Sequence, residues 1–200
     1  MSAQSRRLKA AFSCLLVLLV LLGLAGCGNS SAAPGTANAE KKDGKVLVVV
    51  FSATGNTKGV AEKIAAIEGA DLYEIIPAVP YTEADRNWND SSSRTTIEQN
   101  DKSARPEIAG KDIDLTGYEK IYLGYPIWFA QEPRIMDTFV ERHDFGNSTV
   151  IPFCTSGSSG IGSSGKDLAA KAGSGNWLDG MRFPGSVSEA EVRSWIESLG

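Results

Sequence analysis

The run Lys-Val-Leu-Val-Val-Val-Phe-Ser-Ala-Thr-Gly-Asn-Thr, from Lys45 to Thr57, constrains the fold more than any other part of this chain of 200 residues. Its first half is unbroken apolar sequence rich in β-branched residues, the signature of a strand buried on both faces of a parallel sheet. It stops at a cluster of hydroxyls, a glycine and an asparagine. Behind them Val60, Ala61, Ile64, Ala65 and Ile67 recur at helical spacing, with Lys58, Glu62, Lys63 and Glu68 on the other side. A strand feeding a helix through such a turn is an anion-binding device. The unpaired N–H groups of the first helical turn face the ligand, and the helix dipole favours negative charge. Ser52, Thr54 and Thr57 add hydroxyl donors, and Gly55 lets the backbone come close. A plainer reading, compatible with the first, is a capped turn with Asn56 or Thr57 as N-cap.

The turn carries neither the Gly-Lys-Ser/Thr of a Walker loop nor the Gly-x-Gly-x-x-Gly of a dinucleotide fingerprint. No Lys or Arg stands within it, so neutral donors would hold a phosphate. Ser-x-Thr-Gly-Asn-Thr after an apolar strand resembles the FMN-phosphate loop of flavodoxins.

The amino terminus reads as an export signal. Arg6, Arg7 and Lys9 precede an uncharged stretch with an almost pure Leu/Val centre from Leu15 to Leu22, which ends at Leu24-Ala25-Gly26-Cys27. That ending resembles a bacterial lipobox, which implies a diacylglycerol on Cys27 and a stable two-chain anchor. An uncleaved membrane helix is the alternative, and the run is near the lower length limit for one. Either way the rest of the chain is expected to be membrane-attached and extracytoplasmic. Residues 1–27 are thus a lipoprotein signal and 28–44, rich in Ser, Ala, Gly, Asn and Pro, a flexible tether. Residues 45–200, about 155 in all, are enough for one domain with its own core.

Charge and composition then exclude several classes. The leader takes Arg6, Arg7 and Lys9 out of 20 basic residues and none of the 24 acidic ones, so the formal charge moves from −4 to −7. Nucleic acid is therefore an unsuitable partner, whereas a basic protein partner would be steered toward the surface. Cys14 and Cys27 belong to the leader, which leaves Cys154 alone in the domain and no internal disulfide to make. His143 is the only histidine, which removes His-based triads and multi-His metal sites; it reads as surface structure near a helix end.

Further along, Asp71–Ile76 reads as a second, edge strand ending at Pro77, Tyr118–Leu123 as a third, Ser148–Cys154 as a fourth and Leu178–Phe183 as a fifth. Helices are expected after Pro133, over Gly165–Gly173, and over Val187–Leu199 with Ser188 and Glu191 as a capping box. Strands alternating with helices give an α/β fold with a doubly wound parallel sheet, whose ligands sit outside the carboxyl ends of the strands. The loops there are unusual. Gly-Tyr-Pro-Ile-Trp-Phe-Ala, from Gly124, sets large aromatics in a loop, and residues 155–165 are nearly all Gly and Ser. Core packing explains part of the first, and a plain flexible connection would explain the second.

Together, Gly-Tyr-Pro-Ile-Trp, Pro133-Arg134, Phe139 and Pro-Phe-Cys-Thr-Ser-Gly-x-x-Gly-Ile-Gly resemble a subgroup of flavodoxin-like proteins over nearly all of 45–200. The resemblance implies a five-stranded sheet in a three-layer sandwich, a monomer, and FMN as cofactor. Ser52, Thr54, Asn56 and Thr57, with Ala53 and Gly55 between them, would hold the FMN phosphate. Pro126, Ile127 and Trp128, followed by Phe129, would line the isoalloxazine, and Thr155, Ser156, Gly157 and Gly160 would meet the ring edge or ribityl chain. The long polar segment between the second and third strands departs from ordinary flavodoxins; Tyr81 or Trp88 within it could supply a second aromatic face.

Three functions follow as expectations. The first is a membrane-tethered FMN electron carrier serving a redox protein or a small acceptor, with no catalytic side chain. The second is an FMN-dependent NAD(P)H or quinone reductase, with Arg94, Arg105 or Arg134 orienting an anionic substrate. The third is a non-redox binding lipoprotein on the same fold.

Overall fold

The computed structural model describes residues 44–200. The leader, Cys27 and the tether up to residue 43 lie outside the described residues. The elements run β1 (Lys45–Val50), α1 (Asn56–Glu68), β2 (Asp71–Glu74), β3 (Ile76–Pro77), α2 (Arg94–Asn100), β4 (Ile108–Ala109), β5 (Tyr118–Pro126), α3 (Arg134–Arg142), β6 (Thr149–Thr155), α4 (Ser164–Ala172), β7 (Asn176–Trp177), β8 (Met181–Phe183) and α5 (Glu189–Ser198).

The main sheet has the order β2-β1-β5-β6-β7, with β8 also on β6, and all its pairings are parallel. The apolar run of β1 is buried on both faces, as its composition requires. Leu47, Val49 and Phe51 join Ile121, Leu123, Ile135 and Phe139 in one core. Val48 and Val50 join Val60, Ile64, Tyr122, Val192 and Trp195 in the other. α1 and α5 therefore cover one face and α3 and α4 the opposite one, giving the expected three layers. At Gly124 a side chain has no room, since a Cβ there would lie 2.2 Å from Cζ of Phe153 on the neighbouring strand.

Several elements differ from the sequence reading, each for a physical reason. The second strand ends at Glu74; Ile75 is buried, and Ile76–Pro77 turns away to pair antiparallel with β4. The fifth strand is two pieces at one edge. Thr155 O accepts from Ile127 N on the β5 side of β6, and Val150 O accepts from Leu178 N on the other. Pro152, two residues beyond Val150, thus turns its backbone to the outer side with no N–H to offer, and the outer strand breaks there. The N-cap of α1 is Gly55, left-handed at φ 86° and without a side-chain cap bond, rather than Asn56 or Thr57. α4 begins at Ser164 and β5 continues to Pro126. The capping box of α5 is made in both directions, Ser188 with Glu191. His143 is half-buried rather than superficial. Its ring stacks on Phe139 at 4.2 Å, and Nδ1 donates to the Phe139 carbonyl at 2.7 Å. Cys154 is buried and unpaired, and burial pushes its thiol up to about 12.

Candidate functional site

The chain leaves β1 toward β2 on one side and later crosses to β5 on the other, so the order in which strands are added reverses between β1 and β5. The carboxyl ends of these two strands, with that of β6, are where a doubly wound sheet places its ligand. Two wider grooves of about 680 and 710 Å3 lie at the amino ends, lined by residues such as Lys45 and Lys120 or Tyr118 and Ser148. Topology therefore directs attention to a smaller cleft of about 240 Å3 at the carboxyl ends.

The turn after β1 is built from its own short-range bonds. Ser52 Oγ accepts from Gly55 N at 3.1 Å, and Gly59 N donates to Gly55 O at 2.9 Å. Among the described residues nothing accepts from the N–H groups of Asn56, Thr57 and Lys58, and α1 has no capping side chain. A Cβ added to Gly55 would meet nothing, so open space lies beside the turn. Thr54 and Asn56 are exposed and Ser52 is half-buried. Thr57 is different. Its Oγ1 is buried and lies 2.7 Å from Thr155 Oγ1 at the end of β6. Its hydroxyl and that of Thr155 thus join two loops, one donating to the other.

The loop after β5 divides its aromatics. Tyr125 is fully buried, with its hydroxyl 2.9 Å from Ser164 Oγ. Trp128 is half-buried, edge-on to Phe51 at 5.5 Å and to Tyr81 at 5.1 Å. Phe129 stays exposed at 42 %, and it and Ala130 have φ of 51° and 60°, the only non-glycine residues in the left-handed region among those described. Such strain persists only where surroundings over-determine it. Here Trp128 and Gln131 exchange backbone bonds of 3.0 and 2.9 Å, and Gln99 Nε2, from α2, donates to Trp128 O and Glu132 O at 2.9 and 3.1 Å.

The loop after β6 is held by a residue the sequence reading passed over. Arg182, on β8, donates to Ser156 Oγ, Ser156 O and Gly157 O. Gly157 and Gly160 themselves are exposed. No sequence signal marked Arg182, because an arginine within a predicted edge strand is an ordinary occurrence.

The segment between β2 and β5 folds over this end of the sheet. Tyr81 is buried, bonded to Glu98 at 2.7 Å and covered by the Arg94 guanidinium at 3.9 Å; burial with that carboxylate neighbour raises its phenol far above the usual range. Its ring has no free face. Trp88 is 71 % exposed and lines the cleft, with Arg86 and Thr95, against Ala53, Thr54 and residues 126–129. Of the two aromatics, Trp88 is therefore the one placed to cover a ligand. Arg94, Arg105 and Arg134 are committed elsewhere. They pair with Glu98 at 2.6 Å, with Glu141 at 2.6 Å, and, within a buried cluster, with Asp137 at 3.4 Å. In that cluster burial raises the carboxyl of Glu132 despite the Lys171 ammonium at 2.8 Å. Among the described residues no group of three or more His, Cys, Asp or Glu is set to hold a metal, and no helix is long and apolar enough to cross a membrane.

Residues 45–199 match the family model of flavodoxins, and the chain belongs to that family. A protein assigned as a flavoprotein from Bacteroides uniformis is 43 % identical, with a TM-score of 0.74 over 78 % of this chain and 99 % of its own. A second, from Bacteroides eggerthii, is also 43 % identical, with a TM-score of 0.73 over 78 % and 98 %. A Lactobacillus acidophilus flavoprotein solved in complex with FMN shares the fold at 24 % identity, with a TM-score of 0.57 over 77 % of this chain and 99 % of that one. No curated protein matches the chain.

Proposed function

We propose that this flavodoxin is an FMN-binding electron carrier, exported and lipid-anchored to the cell membrane outside the cytoplasm. The FMN complex of the Lactobacillus relative and the family assignment support the cofactor. The observation that carries the reading is local: a strand-to-helix turn with open backbone donors, an empty space beside Gly55 and an aromatic-walled cleft adjoin one another at the switch point. This donor set suits FMN, since neutral N–H and hydroxyl groups at a helix start hold a phosphate and aromatic faces hold a flat ring.

In this reading the backbone of residues 54–58, with Ser52, Thr54 and Asn56, binds the phosphate. Thr57 and Thr155 act from behind, fixing the turn against β6. Pro126, Ile127, Trp128 and Phe129 form one wall for the ring and Trp88 covers it. Ser156, Gly157 and Gly160 present backbone groups to its edge or side chain, held in place by Arg182. The bound flavin supplies the redox chemistry, accepting and releasing electrons, while the protein binds, orients and shields it. The reductase reading loses the three arginines expected to orient an anionic substrate, since Arg94, Arg105 and Arg134 are spent on internal pairs.

The tether rests on the amino-terminal sequence, where Leu24-Ala25-Gly26-Cys27 follows a basic and then an apolar stretch. We place the domain outside the cytoplasm on the same ground. Its acidic surface would steer it toward a basic redox partner.

FMN titration of the purified protein, followed by flavin fluorescence, tests the reading. Quenching that saturates at micromolar concentration or below is expected. An unchanged fluorescence would leave the fold with a different ligand.

A further inference from the structure

The cleft contains one charge that the function above does not use. Arg86 closes the single 3-10 turn Ala84–Arg86 and is the only charged side chain lining the cleft. Its Nε is buried and finds no acceptor among the described residues, where Arg86 also forms no ion pair, unlike Arg94, Arg105 and Arg134. The neighbouring carboxylate does not serve it. Asp85 is turned to Thr82, accepting from its N at 2.8 Å and its Oγ1 at 2.7 Å. The turn itself is pinned from α2, where Thr95 Oγ1 donates to Asp85 O at 2.8 Å. A buried guanidinium donor with no acceptor is costly, and no ion pair among the described residues compensates the charge that Arg86 brings to the cleft. The exposed indole of Trp88 lines the same cleft and offers a flat ring an apolar face.

We propose that Arg86 faces the ring of bound FMN and sets its redox potential, by favouring the reduced form over the oxidised one. The inference rests on the FMN reading. Two electrons from a reductant and one proton from water turn the neutral oxidised ring into a reduced ring with one negative charge. A cation fixed beside that charge in a partly dry cleft stabilises it and does little for the neutral ring. The sign matters because the rest of the chain works in the other direction: the acidic surplus repels a negative ring. Arg86 opposes that field at the one place where distance makes a single charge count.

The test is the midpoint potential of bound FMN at pH 7, by dithionite titration against a reference dye, in the purified wild-type protein, Arg86→Gln and Arg86→Lys. FMN affinity of each oxidised protein is measured first by fluorescence. Arg86→Gln is expected to lose about tenfold of the preference for reduced over oxidised FMN, a fall of about 30 mV for a two-electron couple. Arg86→Lys keeps the charge and should keep most of the preference. Arg86→Gln binding oxidised FMN with an unchanged potential would overturn the proposal and leave the FMN reading intact, as would equal falls in Gln and Lys variants. Wild-type protein that binds no FMN would overturn both.

Discussion

Thr57 and Thr155, far apart in the chain, bring their hydroxyl oxygens within 2.7 Å in the protein interior. The contact ties the first turn of α1 to the end of β6, and the Thr155 carbonyl also accepts from Ile127 N at 3.0 Å. One residue thus registers all three loops at the carboxyl ends of the strands against one another.

Replacing either threonine alone with valine should cost about 1–3 kcal/mol of stability, because the remaining hydroxyl is left buried without a partner. The double valine variant should be nearly as stable as the wild type. Urea unfolding of the four proteins decides this, and single costs that simply add would show that the two hydroxyls are not a buried pair.

Arg182 is expected to matter for the ligand more than for the fold. Arg182→Ala frees the carbonyls of Ser156 and Gly157 and should weaken FMN binding about tenfold, or about 1.4 kcal/mol. Isothermal titration reads this directly. An unchanged affinity would mean that the Gly/Ser loop does not need to be held.

Gly124 should tolerate no side chain. Alanine there sets a methyl against the Phe153 ring and should destabilise by about 1–3 kcal/mol. Shortening the ring with Phe153→Leu should relieve part of that cost, so the double variant is more stable than the two single losses predict. Thermal melts of the three variants provide the measurement.

Acid should weaken the domain in a way that Glu191 reports. Its bonds from Ser188 hold the Glu191 carboxyl below its ordinary value of 4.5. A depressed carboxyl contributes stability above its unfolded value and loses it as pH falls through the folded one. Stability measured by urea between pH 6 and pH 2 should therefore fall on acidification. Glu191→Gln should flatten the steepest part of that decline below pH 4.5. A variant with the wild-type pH slope would show the cap to be neutral in solution.

Much of the fold was legible because the relevant signals are local. The apolar run of β1 and the Ser188–Glu191 box each declare themselves within a few residues, and both are present as read. The cap of α1 misled for the opposite reason. Local chemistry favours Asn56 or Thr57 at the helix start, but the Thr57 hydroxyl is claimed by a partner on β6, and Gly55 takes the position instead. The outer strand broke because Pro152 on its neighbour lacks a donor, a consequence of register that no single segment reveals. Arg86 and Arg182 were invisible for a related reason. An arginine in a polar stretch reads as solvated, and only the folding of residues 80–110 over the strand ends shows that one of them is half-buried in a cleft.

Both borders of the main sheet are short. β2 offers four residues before the chain turns away, and the opposite border is a pair of pieces of two and three residues separated by Leu178–Gly180. Neither gives another molecule a run of free backbone groups long enough to add a strand. A protein confined to a surface meets its own copies far more often than one in bulk solution. In the membrane-tethered reading proposed above, such borders would let copies crowd side by side without zipping into fibres.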